Sequence, residues 1–203
     1  LDGSLTGVFV GIASQEFGEL LAASPAGASV YAATGSAHAS ASGRLSFTLG
    51  LHGACAAYDT ACSAALVALH AGVRAVQRGE CSSGLAEGVN LMLGPAVGAS
   101  CAVAGMTSPM GRSHTFDARA DGYARGEACV AVALVPEGGN EGVRVESSAS
   151  VGGCAVRCDG RSASLTAPNG QAQRGLLYAA LADAAASPNS ICVAETHGTG
   201  TAL

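Results

Sequence analysis

The chain has 203 residues, enough for one domain with a sizeable core or for part of a larger domain. Hydrophobic residues make up 49% and charged residues only 12%, and the net charge of −5 comes without a single lysine, so nucleic acid is disfavoured as the main partner. No apolar run approaches the roughly 18 residues that span a bilayer, and the acidic start at Asp2 lacks the basic flank of a secretory signal.

Eight cysteines are spread along the chain without a Cys-x-x-Cys pair. The closest two, Cys154 and Cys158, have no matching His or Cys pair nearby, so we expect no metal site. Most of the others stand in apolar settings, which predicts reduced, buried thiols. We therefore expect an intracellular, reducing compartment, most simply the cytoplasm, with an organelle left open.

The hydrophobic pattern predicts alternating strands and helices. In chain order, the expected elements are a strand at 6–13, helices at 15–23 and 36–47, a strand at 54–58, a helix that starts near Cys62 and reaches Gln77, a strand at 84–90, a helix at 97–105, strands at 129–135 and 143–151, a helix at 170–186 and a strand at 191–194. Such alternation is typical of a layered α/β fold, because each helix covers one face of a sheet.

One cysteine, Cys62, stands where the predicted strand at 54–58 gives way to a helix. The buried stripe of that helix is predicted from apolar residues at intervals of three and four: Leu66, Leu69, Val73 and Val76. At a helix start, the free backbone N–H groups and the helix dipole favour the thiolate, which attacks electrophilic carbon. Two interpretations stay open at this point, a catalytic nucleophile and a small buried hydrophobic residue.

Three long motifs occur in a fixed order, with three shorter ones between them. The long motifs are Asp-Thr-Ala-Cys-Ser at 59–63, the stretch from Thr-Phe-Asp to Arg-Gly-Glu at 115–127, and Glu-Thr-His-Gly-Thr-Gly-Thr at 195–201; the short ones are at 79–81, 88–90 and 165–170. Together they closely resemble the β-ketoacyl synthase (ketosynthase) domain of modular type I polyketide synthases and related fatty acid synthases. The resemblance extends over nearly the whole chain, from about Gly7 onward.

The resemblance implies a thiolase-like layered α/β/α/β/α fold, of which the chain would hold the end of the first half and the start of the second. It also implies decarboxylative Claisen condensation between an acyl thioester on cysteine and a malonyl thioester on an acyl carrier protein, in polyketide or fatty acid chain elongation. Cys62 matches the acyl-accepting nucleophile, and His197 matches the first of two catalytic histidines. Thr199 and Thr201 match hydroxyls that border the phosphopantetheine and malonyl tunnel, and Thr166 is expected to line the same tunnel.

The resemblance further implies a homodimer in the full-length form. The domain would bind no cofactor of its own, because its substrates arrive on the phosphopantetheine of acyl carrier protein. The second catalytic histidine and its supporting lysine, which the family places downstream, are not in this sequence. Residues 1–203 are therefore expected to be an internal part of a ketosynthase domain, without its N- and C-terminal parts, and to be inactive in isolation.

Two other functions stay open. A thiolase-like or hydrolytic enzyme would use the same nucleophile, although the His-Gly-Thr-Gly-Thr motif argues against it. A catalytically silent ketosynthase-like module would only bind carrier protein or partner subunits, although a pure scaffold has no need of a cysteine at position 62.

Charges of alternating sign crowd the stretch between 117 and 127. They belong to Asp117, Arg119, Asp121, Arg125 and Glu127. Because opposite charges alternate there, we predict a network of salt bridges and hydrogen bonds that braces a loop near the site, rather than an acid–base pair.

Overall fold

Four strands form one mixed sheet in the part of the chain that the structure describes. That part is residues 2–138 and 147–201 of a computed structural model. The strands are β1 (Thr6–Ile12), β2 (Cys55–Tyr58), β3 (Ser83–Asn90) and β4 (Ala128–Leu134), in the spatial order β2-β1-β3-β4. β1 runs parallel to β2 and to β3, whereas β4 runs antiparallel to β3. The C-terminal ends of the three parallel strands and the N-terminal end of β4 therefore lie on the same side of the sheet.

Six α-helices are present among the described residues. They are α1 (Glu16–Ala22), α2 (Ala32–Ser36), α3 (His38–Leu49), α4 (Ala64–Gln77), α5 (Pro95–Val103) and α6 (Gly170–Asp183), with 3₁₀ turns at Pro25–Ala28, Ala61–Ser63 and Pro188–Ser190. The side chain of Asn169 caps α6 by accepting hydrogen bonds from the N–H groups of Gln171 and Ala172. The helices predicted at 15–23, 97–105 and 170–186 are confirmed to within a few residues, and the one at 36–47 is α3.

β1 is the centre of the fold because both of its faces are buried. Val8 and Val10 pack with Leu51 on the side that α3 covers. Phe9 points the other way and packs with Ala68 and Ala75, on the side that α4 covers. Alternate side chains of a strand point to opposite faces, so a continuous apolar strand can pack a helix on each side. The predicted layered α/β arrangement is confirmed.

The first turn of α4 lies close against the sheet. A Cβ on Gly11 of β1 would lie 2.6 Å from the carbonyl oxygen of Ala64, so glycine is needed there. The buried face of the helix is correspondingly small, consisting of Ala64, Ala68, Gly72, Val73 and Ala75. The predicted buried stripe is therefore wrong at Leu66, which is 70% exposed, because close packing on the sheet turns the alanine face inward.

Two predicted strands, at 191–194 and 143–151, are not confirmed. Residues 191–194 are irregular, with Ile191 52% and Val193 83% exposed, because no described strand lies beside them to take their backbone hydrogen bonds. The strand predicted at 143–151 lies partly outside the described residues, and its remainder at 147–151 has no regular structure.

All eight cysteines are free thiols. The predicted burial is wrong for Cys129 and Cys192, which are exposed, whereas Cys81, in a polar stretch of sequence, is only 2% exposed. Cys129 lies on β4, at the edge of the described sheet, and Cys192 lies in the irregular segment. Apolar neighbours in sequence therefore do not bury a thiol when no other element packs on the segment that carries it.

Candidate active site

The carboxyl ends of the parallel strands bring several of the sequence motifs together. Gly11 of β1 is level with Tyr58 of β2 and with Gly88 of β3, and β4 enters the sheet beside them at Ala128. The turn that follows β2 therefore emerges at this edge. In open α/β sheets, the carboxyl edge of the strands is where ligands bind.

The turn that carries Cys62 is a tight elbow between β2 and α4. Ala61 has a φ of 50°, a left-handed conformation that is unfavourable for a residue with a Cβ and must be held by its surroundings. The Asp59 carboxylate accepts a hydrogen bond from the Ala61 N–H at 3.2 Å, and the Ser63 hydroxyl donates to the Thr60 carbonyl at 2.9 Å. These bonds present the Cys62 side chain to solvent just before α4 begins.

Cys62 and His197 line one cavity of about 740 Å³. The two residues are distant in sequence, and the structure brings them into the same space. Much of the remaining wall consists of small residues, among them Gly11, Ala13, Ser14, Ala64, Ala65 and Gly88. A concave, largely apolar surface with a few convergent polar groups is typical of a binding site for an organic substrate.

The loop that carries His197 rests on a distant segment, residues 114–122. The Thr115 hydroxyl donates a hydrogen bond to the Gly198 carbonyl at 2.6 Å. The Gly122 N–H donates to the Gly200 carbonyl at 3.1 Å. Residues 191–194 have no strand pairing, so these two hydrogen bonds are what holds the loop against the segment.

The three threonines of the predicted site lie in different places. Thr199 lines the cavity together with His197. The Thr201 hydroxyl lies 3.3 Å from that of Thr199, but Thr201 is not part of the cavity wall formed by the described residues. Thr166 is exposed in the loop before α6 and is likewise absent from that wall. Of the three, Thr199 alone lines the cavity with Cys62 and His197, and the binding roles of all three stay predictions.

Among the cavity residues that sequence reasoning misses are Asn90, Cys101 and Tyr123. Burial, and secondly a hydrogen bond with the Cys101 thiol, raises the pKa of the Tyr123 phenol, which therefore stays protonated. The Asn90 side chain donates to the Gly126 carbonyl at 2.6 Å and joins the end of β3 to the segment before β4. Asn90 and Tyr123 belong to the motifs at 88–90 and 115–127, so the motifs could have indicated them as site residues. Cys101 on α5 belongs to none of the motifs.

The predicted network of alternating charges forms only in part. In the described part of the chain, the five charged residues form one ion pair, Asp117 with Arg119 at 2.7 Å. Glu127 instead accepts a hydrogen bond from the Met92 N–H at 2.6 Å, and Arg125 lines the cavity. Alternation in sequence does not pair charges in an irregular loop, because successive side chains there point in unrelated directions.

Metal and membrane sites can be examined over residues 2–138 and 147–201. No group of three or more His, Cys, Asp or Glu side chains in those ranges is arranged to hold a metal ion. None of the helices there is long and apolar enough to cross a membrane. The side chains of the cavity wall carry two thiols, an imidazole, hydroxyls, an amide and a guanidinium.

Family models match nearly the whole chain. The model described as "Beta-ketoacyl synthase, N-terminal domain" matches residues 1–138, and the model described as "Beta-ketoacyl synthase, C-terminal domain" matches residues 148–203. This chain belongs to the β-ketoacyl synthase family. The family resemblance inferred from the sequence motifs is confirmed.

Curated relatives of this ketosynthase chain are polyketide synthases. It is 41% identical over 205 residues to a phenolphthiocerol/phthiocerol polyketide synthase of Mycobacterium tuberculosis, with 100% of this chain and 13% of that protein covered. It is 38% identical over 203 residues to the mycocerosic acid synthase-like polyketide synthase of Mycolicibacterium smegmatis, with 99% and 10% covered. The chain therefore spans only a small part of the relatives that it matches.

Solved ketosynthases share its fold. The ketosynthase from module 6 of the bacillaene synthase of Bacillus subtilis 168 superimposes with a TM-score of 0.89 at 33% identity, covering 99% of this chain and 33% of that one. The oxazolomycin ketosynthase domain of Streptomyces albus JA3453 superimposes with a TM-score of 0.83 at 35% identity, covering 97% of this chain and 34% of that one. The predicted thiolase-like fold is confirmed, and the chain corresponds to about a third of each of those structures.

Proposed function

We propose that this chain supplies the nucleophile and one histidine of a ketosynthase that joins a Cys62-bound acyl group to malonyl-acyl carrier protein by decarboxylative Claisen condensation. The observation that carries the proposal is the shared cavity of Cys62 and His197. Polyketide chain elongation is the proposed setting, because the curated relatives are polyketide synthases.

In the first half-reaction, the Cys62 sulfur attacks the carbonyl carbon of an acyl thioester. The bond from that carbon to the carrier sulfur breaks, and the carrier thiol leaves with the proton that Cys62 gives up. Cysteine suits this exchange because a thiolate is both a good nucleophile and a good leaving group. The Cys62 N–H makes no hydrogen bond to a described residue, so it is available to the oxyanion that forms in this step.

In the second half-reaction, the malonyl thioester loses carbon dioxide. The electron pair of the broken C–C bond forms an enolate, whose charge rests on the thioester oxygen. A neutral His197 imidazole that donates its N–H to this oxygen stabilises the enolate. The enolate carbon then attacks the acyl carbonyl, a C–C bond forms, and the Cys62 thiolate leaves.

The cavity suits a thioester on a phosphopantetheine arm. Its small wall residues leave a passage for a thin chain, and the Thr199 and Tyr123 hydroxyls can bind amide groups of the arm. We infer that acyl and malonyl groups arrive on acyl carrier protein and that no cofactor held by this domain takes part. A homodimer is the proposed form of the full-length domain.

We infer that residues 1–203 act within a longer ketosynthase domain. The chain spans 33% of one solved ketosynthase and 34% of another. It contains no lysine, so the family's supporting lysine, and with it the second catalytic histidine, would come from the remainder of such a domain. The 203-residue chain alone should show no condensation, and turnover by the purified chain would contradict this.

Acyl loading tests the proposal in the full-length ketosynthase that contains this chain. Cys62→Ala should abolish transfer of a radiolabelled acyl group from a thioester donor, whereas Cys158→Ala, at an exposed thiol outside the cavity wall, should leave it unchanged. His197→Ala should keep loading and lose malonyl decarboxylation. Undiminished acyl transfer to the Cys62→Ala protein would refute the assignment, and iodoacetamide labelling of Cys62 no faster than that of an ordinary thiol would favour a binding module.

A further inference from the structure

We propose that Thr115 is a positioning residue that fixes the loop carrying His197, an inference that rests on the proposed condensation function. The residue lies 82 positions before His197 in sequence, in the irregular segment that precedes β4. It contacts the loop at the residue directly after the histidine. Its two branches make two different contacts there.

The hydroxyl branch makes a short hydrogen bond. Thr115 Oγ1 donates to the Gly198 carbonyl oxygen at 2.6 Å, and the contact is partly buried. Residues 191–197 are exposed and outside any strand, so the loop draws little rigidity from its own secondary structure. A bond that fixes the peptide unit after His197 therefore restricts where the imidazole can lie.

The methyl branch covers the same residue. Gly198 has a φ of 56°, and a Cβ built on it would lie 2.8 Å from Thr115 Cγ2. Gly198 is thus left-handed and has no space for a side chain, because the threonine methyl occupies it. Thr115 holds the carbonyl of Gly198 with one branch and packs on its Cα side with the other.

The segment that carries Thr115 is itself braced. Asp117 receives hydrogen bonds from the backbone and side chain of Arg119, and its own N–H donates to the His114 carbonyl at 3.0 Å. Phe116, between Thr115 and this turn, has a φ of 63°, a conformation that persists only where neighbouring contacts impose it. A second bond, from the Gly122 N–H to the Gly200 carbonyl, fixes the far side of the loop. These contacts give the segment a defined conformation at the point where Thr115 contacts the loop.

The chemistry makes this position matter in only one half-reaction. Enolate stabilisation requires the His197 N–H to meet the thioester oxygen, and small displacements of a positioned group cost a large part of its effect. Acyl transfer to Cys62 uses the sulfur and backbone at the start of α4 and needs no imidazole from this loop. Loss of the Thr115 hydroxyl should therefore slow malonyl decarboxylation and spare acyl loading.

Three threonine variants of the full-length ketosynthase separate these effects. Thr115→Val keeps the shape and removes the hydroxyl, so decarboxylation should fall about tenfold or more while Cys62 loading stays within about twofold. Thr115→Ser keeps the hydroxyl and should restore decarboxylation. Thr48→Val is the matched control, because the Thr48 hydroxyl also donates to a backbone carbonyl, that of Arg44, on the exposed side of α3.

Amide hydrogen exchange supplies a readout that does not depend on activity. Exchange of a peptide covering residues 191–201 should be faster in Thr115→Val than in the wild type, and normal in Thr115→Ser. Unchanged exchange together with unchanged decarboxylation in Thr115→Val overturns the proposal, as does an equal loss of both half-reactions. If Thr115→Val does not fold, Thr115→Ser decides the matter, since a tenfold loss of decarboxylation there is incompatible with positioning by the hydroxyl. Acyl loading of Cys62→Ala, by contrast, would contradict the proposed function, while the exchange result would still test whether Thr115 fixes the loop.

Discussion

The Arg74 guanidinium on α4 lies 2.7 Å from the Asp183 carboxylate on α6. Arg74 also donates to the Cys154 carbonyl at 2.9 Å, and the Cys154 N–H donates back to Asp183 at 2.9 Å. One ion pair thus joins the helix that follows Cys62, the segment around residue 154 and the helix that precedes the His197 loop. The ion pair therefore connects the region that matches the N-terminal family model to the region that matches the C-terminal one.

Asp183→Asn should lower the melting temperature of the chain at neutral pH. Hydrogen bonds from the Cys154 N–H and from Arg74 hold the pKa of Asp183 below its ordinary value of 3.8. A carboxyl whose pKa is lowered by folding stabilises the fold above its ordinary pKa, and that stabilisation disappears as the pH falls through the lowered value. Melting curves from neutral pH into the acid range should show the two proteins converging below pH 3.8.

Glu80→Gln is the control for this experiment, because Glu80 is exposed and its side chain has no partner among the described residues. Its melting temperature should follow the wild type throughout. If the melting temperature of Asp183→Asn stays below that of the wild type by the same amount down to the lowest pH, the charge of Asp183 does not contribute to stability.

The Asp117 carboxyl should titrate at about pH 2. Side-chain and then backbone hydrogen bonds from Arg119 lower its pKa from 3.8 to about 2. The pair therefore stabilises the turn above pH 3.8 and stops doing so as the pH falls to about 2. Carbon-13 NMR titration measures this pKa directly, and Arg119→Gln should move it back toward 3.8. An Asp117 pKa that is the same in both proteins would exclude the Arg119 side chain as the cause.

Gly11→Ala should destabilise the chain by about 1–3 kcal/mol, because the new Cβ has to displace the first turn of α4. Gly43→Ala on α3 is the matched control: nothing lies within 4 Å of its Cβ, so alanine there should be neutral or stabilising by up to about 1 kcal/mol. Chemical denaturation measures both free energies of unfolding. Equal stability of the two variants would mean that α4 can move off the sheet without loss.

Asn169→Ala should lower the free energy of unfolding by about 1 kcal/mol. The Asn169 side chain accepts hydrogen bonds from the Gln171 and Ala172 N–H groups, which are otherwise unpaired at the start of α6. Asn169→Ser keeps a cap and should recover most of the loss. If serine is as destabilising as alanine in denaturation, the bonds that Asn169 donates to Asp159 and Arg161 carbonyls matter more than the cap.

Much of the fold follows from local patterns in the sequence. β1 and α6 were predictable because a continuous apolar run and a helical repeat between turn residues each reflect one element. Leu66 and residues 191–194 were not, because their burial depends on which neighbour lies against them. The alanine face of α4 is buried only because Gly11 lets the helix approach the sheet, and periodicity carries no information about that distance.

The site is predictable in a similarly divided way. The motifs at 59–63 and 195–201 were sufficient to select Cys62 and His197, which share the cavity. Thr115 was not singled out, because its contact with Gly198 joins two irregular segments that no periodicity relates. Cys101 lines the cavity from α5, and no motif in the sequence marks it.

The reversed direction of β4 affects how such a domain can diversify. Residues 91–127 leave the sheet after Asn90 and return at Ala128, which pairs with it. Since the segment leaves and re-enters the sheet at one residue pair, it can lengthen or shorten without shifting the register of any strand. The segment 91–127, which supplies part of the cavity wall, can therefore vary in length between related domains while the pairing of the four strands stays the same.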